Sequence, residues 1–465
     1  MRLSVAVIAV AAVVAAALVV LASGALLNPD RPLVSEAGFD AVVLSPNADG
    51  VADVVTFAFT LARTADVSLH LIDGEQSIYE FRTNVRTPPG QYAIQFSGVV
   101  DGFSLPDEAF ESTIDRRLVP DGDYLWEIIA VGVEQAEVGQ LRGTLKIEGG
   151  DAELPLLNNF SVSPTTFTPN QDGVADRVAV SAYLTKPATV TAYLVDDAGE
   201  RLYIAPRQTR TRLGEVGWQE FDYEGGVDIG AEPPPDGDYV IVLEAQDAVG
   251  QRVSQRGALT LQDGGKPRAG IVGQVTGADV AFSTLPYDEA YFSDSDGLGR
   301  LLDEPSDPTD VRLGTVIVPM GELLVFRLVV ENYGASPIRT DGPPPGTVYQ
   351  QDQVAAALNA IEQDGVWRVG VQCDTSEQSY PYRWAVGRFE DLRQATDPTN
   401  DNVYYYLAPG ERSVVWGAVR LTDIVTTRNP QQCWAGLIHE GVAVANNRIG
   451  ARDILIEAVS PEAGD

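Results

Sequence analysis

The chain has 465 residues, a net charge of −34 and 45% hydrophobic residues. That length holds about three domains of ordinary size, and the apolar share excludes a disordered chain despite the charge. The acidity excludes nucleic acid as a partner, because neutralising phosphates takes a basic face; it fits a solvated, self-repelling surface or an affinity for cations and basic partners.

From Leu3 to Leu27 no residue is charged. As a helix this stretch reaches about 37 Å, enough to cross a bilayer with some tilt. Arg2 before it, with Asp30 and Arg31 after it, favours a cytoplasmic N-terminus. Its length favours an uncleaved anchor over a secretory signal, whereas Ala22-Ser23-Gly24 offers small residues for cleavage. Residues 1–28 are thus a signal anchor or signal peptide. The rest is expected outside the cytoplasm, anchored to the cytoplasmic membrane by the N-terminal helix, or secreted if that helix is removed.

Beyond residue 28 two phrases recur in order. Ser45-Pro46-Asn47-Ala48-Asp49-Gly50-Val51-Ala52-Asp53 returns as Thr168-Pro169-Asn170-Gln171-Asp172-Gly173-Val174-Ala175-Asp176, and Pro120-Asp121-Gly122-Asp123-Tyr124 returns as Pro235-Asp236-Gly237-Asp238-Tyr239. The period, roughly 115 to 125 residues, is domain-sized, so each copy is expected to own a core. Between the phrases the pattern is that of strands: 54–61 and 67–72 in the first copy, 178–184 and 190–195 in the second, with a hairpin turn at Asp197-Ala198-Gly199-Glu200. Trp218, Phe221 and Tyr223 mark a later strand, paralleled by Tyr92, Ile94 and Phe96, and strands starting at Tyr124 and Tyr239 close the copies. Short strands at close intervals predict β-sandwiches. Gly149-Gly150-Asp151 and Asp263-Gly264-Gly265-Lys266-Pro267 read as short joints that allow some bending.

The third region opens with a loop-rich acidic stretch, including an acidic turn at Asp294-Ser295-Asp296-Gly297 that reads as a solvated loop. Strand pattern returns at 323–334 and 414–421, with a short helix expected within 354–361. Cys373 and Cys433 are the only cysteines; in an exported protein the pair reads as a disulfide, the other reading being two buried thiols. With Trp367, Trp384, Trp416 and Trp434 they would build an aromatic core.

The order S/T-P-N-x-D-G-x-x-D, strand, turn, strand, P-D-G-D-Y resembles the immunoglobulin-like domain of the flagellar hook-capping (FlgD-type) family and similar modules of secreted bacterial surface proteins. The resemblance covers about half the chain, in two copies. It implies a fold and an exported, modular, adhesive or structural life rather than an activity; the family's assembly region has no counterpart here. The strand ending in Asn332-Tyr333-Gly334, with Pro409-Gly410-Glu411 leading into 414–421, more loosely resembles other bacterial immunoglobulin-like domains. The expected architecture is all-β: three β-sandwich (immunoglobulin-like) domains in tandem, at residues 29–149, 150–264 and 265–465, after the N-terminal transmembrane or signal helix.

Candidate chemistry is sparse. Asn47, Asp49 and Asp53, with Asn170, Asp172 and Asp176, match part of a calcium loop. The bidentate glutamate is missing, however, with Thr56 and Ala179 in its place, and a self-capped turn with Gly at positive φ explains the same residues. Calcium is the sole cofactor suggested. His70, on an alternating strand, is expected to face solvent. His439-Glu440 begins like a zinc-protease helix, but Ala443 stands where the second histidine belongs. No nucleophile elbow, Walker loop or dinucleotide fingerprint occurs. Tyr380, Tyr382, Tyr404, Tyr405 and Tyr406 are candidate binding aromatics for a sugar or a protein, although core packing also accounts for such residues. The expected role is a non-enzymatic, membrane-tethered envelope scaffold or adhesion protein whose third domain binds an envelope protein or surface polysaccharide. Two alternatives stand beside it: a carbohydrate-binding or accessory subunit of an extracellular enzyme system, and a hydrolase needing a carboxylate pair.

Overall fold

The computed structural model describes residues 31–458 except 107, 135–136, 207–211, 276, 292–298, 302, 307–313 and 398–400. The N-terminal apolar segment and the turn at 294–297 lie outside the described residues. No helix among those described is long and apolar enough to cross a membrane. Strand accounts for 53% and helix for 4%, so the chain is all-β.

The two copies share one topology. In the first, Val34–Phe39, Val55–Leu61 and Gly90–Phe96 form a three-stranded sheet. Facing it is a five-stranded sheet in the order Val43–Leu44, Val138–Ile147, Gly122–Gly132, Ala65–Ile72 and Ile78–Thr87. In the second copy, Leu157–Ser163, Val178–Leu184 and Gly217–Tyr223 repeat the first sheet. Arg252–Leu261, Gly237–Gln246, Thr189–Val195 and Arg201–Ile204 repeat the second, with Thr166–Phe167 pairing in parallel. The central strands alternate as half-buried strands must: Val55, Phe57, Phe59 and Leu61 point inward, as do Val178, Val180, Ala182 and Leu184. Each copy has its own core between its two sheets.

The joint between the copies is held by more than the short bending segment expected at Gly149-Gly150-Asp151. The first copy carries an extra hairpin, Val99–Asp101 with Thr113–Leu118, whose second strand pairs with Arg252–Leu261 of the second copy. One sheet thus runs across the module boundary, and Ile114 packs on the second core. Fully buried Gln251 ties the same boundary: it accepts from Leu118 N (3.2 Å) and donates to the carbonyls of Asp151 (3.0 Å) and Glu153 (2.8 Å).

The third region has a single large core between two further sheets, one centred on Leu323–Asn332 and Arg412–Arg420, the other on Trp367–Cys373 and Gln431–His439. Cys373 and Cys433 face each other across the latter pair and are disulfide-bonded. Trp367 and Trp384 join the disulfide in this core, whereas Trp416 and Trp434, also buried, sit in two smaller clusters, so the single aromatic core expected of all four is divided. The short helix appears as a 3-10 turn, Ala355–Leu358. Asn332 explains the Asn-x-Gly and Pro-Gly-Glu phrases: buried completely, it donates to the carbonyls of Ser336 and Leu407, and its own carbonyl accepts from Gly410 N (2.7 Å).

Candidate functional site

The repeated opening phrase folds into one loop, twice. Ala48, Gly50 and Ala52 all have positive φ, as do Gln171, Gly173 and Ala175. This winding turns successive amides inward, where the last aspartate collects them. Asp53 accepts from the backbone N–H of Asn47 (2.9 Å), Ala48 (2.6 Å) and Gly50 (2.7 Å). Asp176 accepts from Asn170, Asp172 and Gly173. Asn47 and Asp49, like Asn170 and Asp172, each cap the amide two residues on. The conspicuous carboxylates therefore hold N–H donors, the geometry of the self-capped turn. Among the described residues no group of three or more His, Cys, Asp or Glu is placed to hold a metal.

The closing phrase secures each module's exit. Tyr124 and Tyr239 donate their hydroxyls to the carbonyls of Pro120 (2.6 Å) and Pro235 (2.7 Å). Asp121 accepts from Gly149 N and Gly150 N, and Asp236 from Asp263 N and Gly264 N. Both phrases gather at the end of the module where the chain leaves.

What separates the copies is the loop's surroundings. In the first, Ala48, Asp49, Gly50 and Val51 are exposed. In the second, Asn170 and Asp172 are buried, because the loop seats on the third region. Its socket is assembled from neighbouring strands, with Arg339 opposite Tyr406 and Trp367 opposite His439. Backbone meets backbone at the centre: a Cβ on Gly365 would lie 2.1 Å from the carbonyl carbon of Asp172, and one on Gly173 would lie 2.3 Å from the carbonyl oxygen of Asp364. Both glycines have positive φ, so the contact depends on them twice over. His439 Nε2 lies 2.7 Å from the Gln171 carbonyl, and His439 stacks on Trp367 at 4.4 Å. Arg339 donates to the Asp364 carbonyl (2.8 Å) and covers the Tyr404 ring. Beside the loop, Ser336 donates to the Gly265 carbonyl (3.1 Å) and Arg393 pairs with Asp263 (3.2 Å).

Burial inverts the loop's electrostatics. In the open copy Asp53, despite some desolvation, is held below the usual carboxylate range by the amides of Gly50, Asn47, Ala48 and Asp49. In the seated copy desolvation raises Asp176 despite the same kind of amides, and pushes Asp172, beside Asp176, up to about 7. Desolvation also raises the Tyr406 hydroxyl, which hydrogen-bonds Asp172, and brings His439 down to about 4. The junction thus favours a protonated Asp172 and a neutral His439 that donates Nε2–H to Gln171.

Three of the five candidate binding tyrosines are corrected by the structure. Tyr380, Tyr382 and Tyr406 are buried: the first donates to Asn447 (2.6 Å), the second to the Gln351 carbonyl (2.7 Å), and the third faces Asp172. Tyr404 and Tyr405 are half-buried, under Arg339 and against Phe389 respectively. His70 also departs from expectation. It keeps the outer face that alternation gives it, between core-facing Leu69 and Leu71, but it is buried there, its ring bonding Glu127 (2.7 Å), which Arg142 and Gln140 also hold. Glu440 forms a buried ion-pair cluster with Arg368 and Arg383, both at 2.8 Å. The socket itself was invisible in the sequence, where Arg339, Gly365 and His439 share no motif.

No family model matches this chain, and no curated protein matches it. Similar solved structures include a tetra-tandem repeat from the extending region of a large adhesion protein (14% identity, 86% of this chain and 81% of the other, TM-score 0.17). Others are a structure concerned with host cell surface retention of a 1.5-MDa bacterial ice-binding adhesin (11%, 85% and 100%, 0.18) and dimeric latent PorU from Porphyromonas gingivalis (9%, 92% and 34%, 0.19).

Proposed function

We propose that this chain is a non-enzymatic scaffold of the cell envelope, carried outside the cytoplasm by its N-terminal apolar segment, in which two immunoglobulin-like modules act as a stiff arm for the larger third domain. The observation that carries this reading is that both joints are filled. At the first, a strand of one module completes the sheet of the next; at the second, a buried loop seats in a socket with glycine on both sides. A flexible linker needs neither. Extracytoplasmic placement is supported by the disulfide, which an oxidising compartment sustains. The third-domain tyrosines largely serve packing, so they do not mark that domain's partner surface.

The test is single-molecule energy transfer on the full chain in mild detergent, with dyes on cysteines introduced at Val51 and Ile361, both exposed. One narrow distance population is expected. A broad or multiple distribution would reject the stiff arm.

A further inference from the structure

The second module's three-stranded sheet has an outer face unlike the first's. Asn158, Tyr183 and Trp218 lie in register across it, with Ser161, Ser181 and Glu220 as the next row. Tyr183 is 38% and Trp218 47% exposed, their rings 5.9 Å apart and edge to face. All six tryptophans are described, and the other five, Trp126 included, are buried. In the first module the same grid positions carry Ser35, Thr60 and Gln91. The shared fold therefore does not require aromatics there.

We propose that this face is a binding site for a neutral polysaccharide chain. Trp218 offers its ring to the C–H face of a pyranose, with the Tyr183 ring standing edge-on beside it. Asn158, Ser181 and Glu220 supply the amide, hydroxyl and carboxylate partners that sugar hydroxyls use on either side of the stacked ring. The two rows contain no lysine or arginine, and Arg177 at the strand's start is already paired with Asp222 and Asp228. An anionic glycan would meet only acid here, so the chemistry selects an uncharged one. A protein partner would want a broader apolar patch than two rings set among hydroxyls. This site goes beyond the scaffold reading and does not depend on the stiffness of the joints.

The experiment uses the full chain in mild detergent, with cellohexaose and chitohexaose as probes and polygalacturonate as the anionic control. Because Trp218 is the exposed indole, acrylamide quenching reports on it directly. Saturable protection by a neutral hexaose, without protection by polygalacturonate, is expected. The double variant Tyr183→Thr/Trp218→Gln carries the first module's own residues at these positions and so keeps a sheet that folds. It should lose affinity, read by calorimetry, by at least about tenfold, with its circular-dichroism spectrum unchanged. The proposal is overturned by absence of protection with both hexaoses, by equal protection with polygalacturonate, or by undiminished binding in the double variant. A variant that loses only melting temperature, in a protein that binds neither hexaose, assigns the pair to cross-strand packing instead.

Discussion

At the scale of single residues, one loop sequence shows two chemistries because one copy is covered and the other is not. Asp172, up to about 7 in the seated loop against 3.8 in water, holds a proton on docking; its contribution is fully present below 3.8 and lost as pH rises through about 7. His439, down to about 4 from 6.5, works the other way: its contribution is present above 6.5 and lost as pH falls through about 4. Asp176, also raised, acts in the sense of Asp172. Each such proton changes stability by at most about 1.4 kcal/mol per pH unit. Asp172→Asn should therefore move the pH of maximum stability upward and His439→Gln should move it downward, as read from urea midpoints across about pH 4 to 8. Two variants keeping the wild-type optimum would place these groups outside the junction's energetics. The loop's carboxylates also bear on calcium. Since Asp53 and Asp176 already hold amides, melting temperature is expected to ignore both calcium and chelator. A rise worth about 2.7 kcal/mol at a hundredfold excess over Kd would show instead that these loops bind the ion.

At the scale of elements, the disulfide joins residues opposite one another in adjacent strands and closes a loop of 60 residues. On the chain-entropy account such a closure stabilises by about 4 kcal/mol. The Cys373→Ala/Cys433→Ala variant should lower the third domain's unfolding midpoint accordingly in calorimetry, while leaving the transition of the first module in place. An unchanged midpoint would mean that the strand pairing alone holds the two positions. The elements were largely legible in the sequence, because a strand with one buried face writes itself as alternation and each repeated phrase caps its own turn with bonds close in sequence. Asp53, Asp121 and Tyr124 find their partners within about thirty residues. His70 takes the outer face that alternation gives it, yet it is covered there because Glu127 opposite it, held by Gln140 and Arg142, closes over the ring, and that cover comes from strands more than fifty residues away. For Tyr380, Tyr382 and Tyr406 the sequence left binding and core packing both open, because the surfaces that cover them come from distant segments. The hairpin strand Thr113–Leu118 could not be assigned to the neighbouring module for a related reason: an edge strand's partner is set by geometry between modules.

At the scale of the whole molecule, the question is whether the two filled joints act as one. Each module has its own core, so neither joint is needed for folding, and weakening a joint should free motion without unfolding its neighbours. At the first joint Gln251→Ala leaves Leu118 N and two carbonyls of the connecting segment without their partner. At the second, Gly365→Val drives a branched side chain into the backbone of Asp172 at a residue with positive φ, which leaves no room for the loop. Each variant should broaden the distance distribution between Val51 and Ile361, and the double variant should broaden it further, because independent hinges add their variances. Far-ultraviolet circular dichroism should stay unchanged throughout. If Gly365→Val alone gives the full broadening and Gln251→Ala none, the continuous sheet suffices to stiffen the first joint and the seated loop is what holds the third domain in line. If neither broadens it, stiffness resides in the strand pairing and the linker contacts of Ser336 and Arg393, and the loop's burial serves some purpose other than alignment.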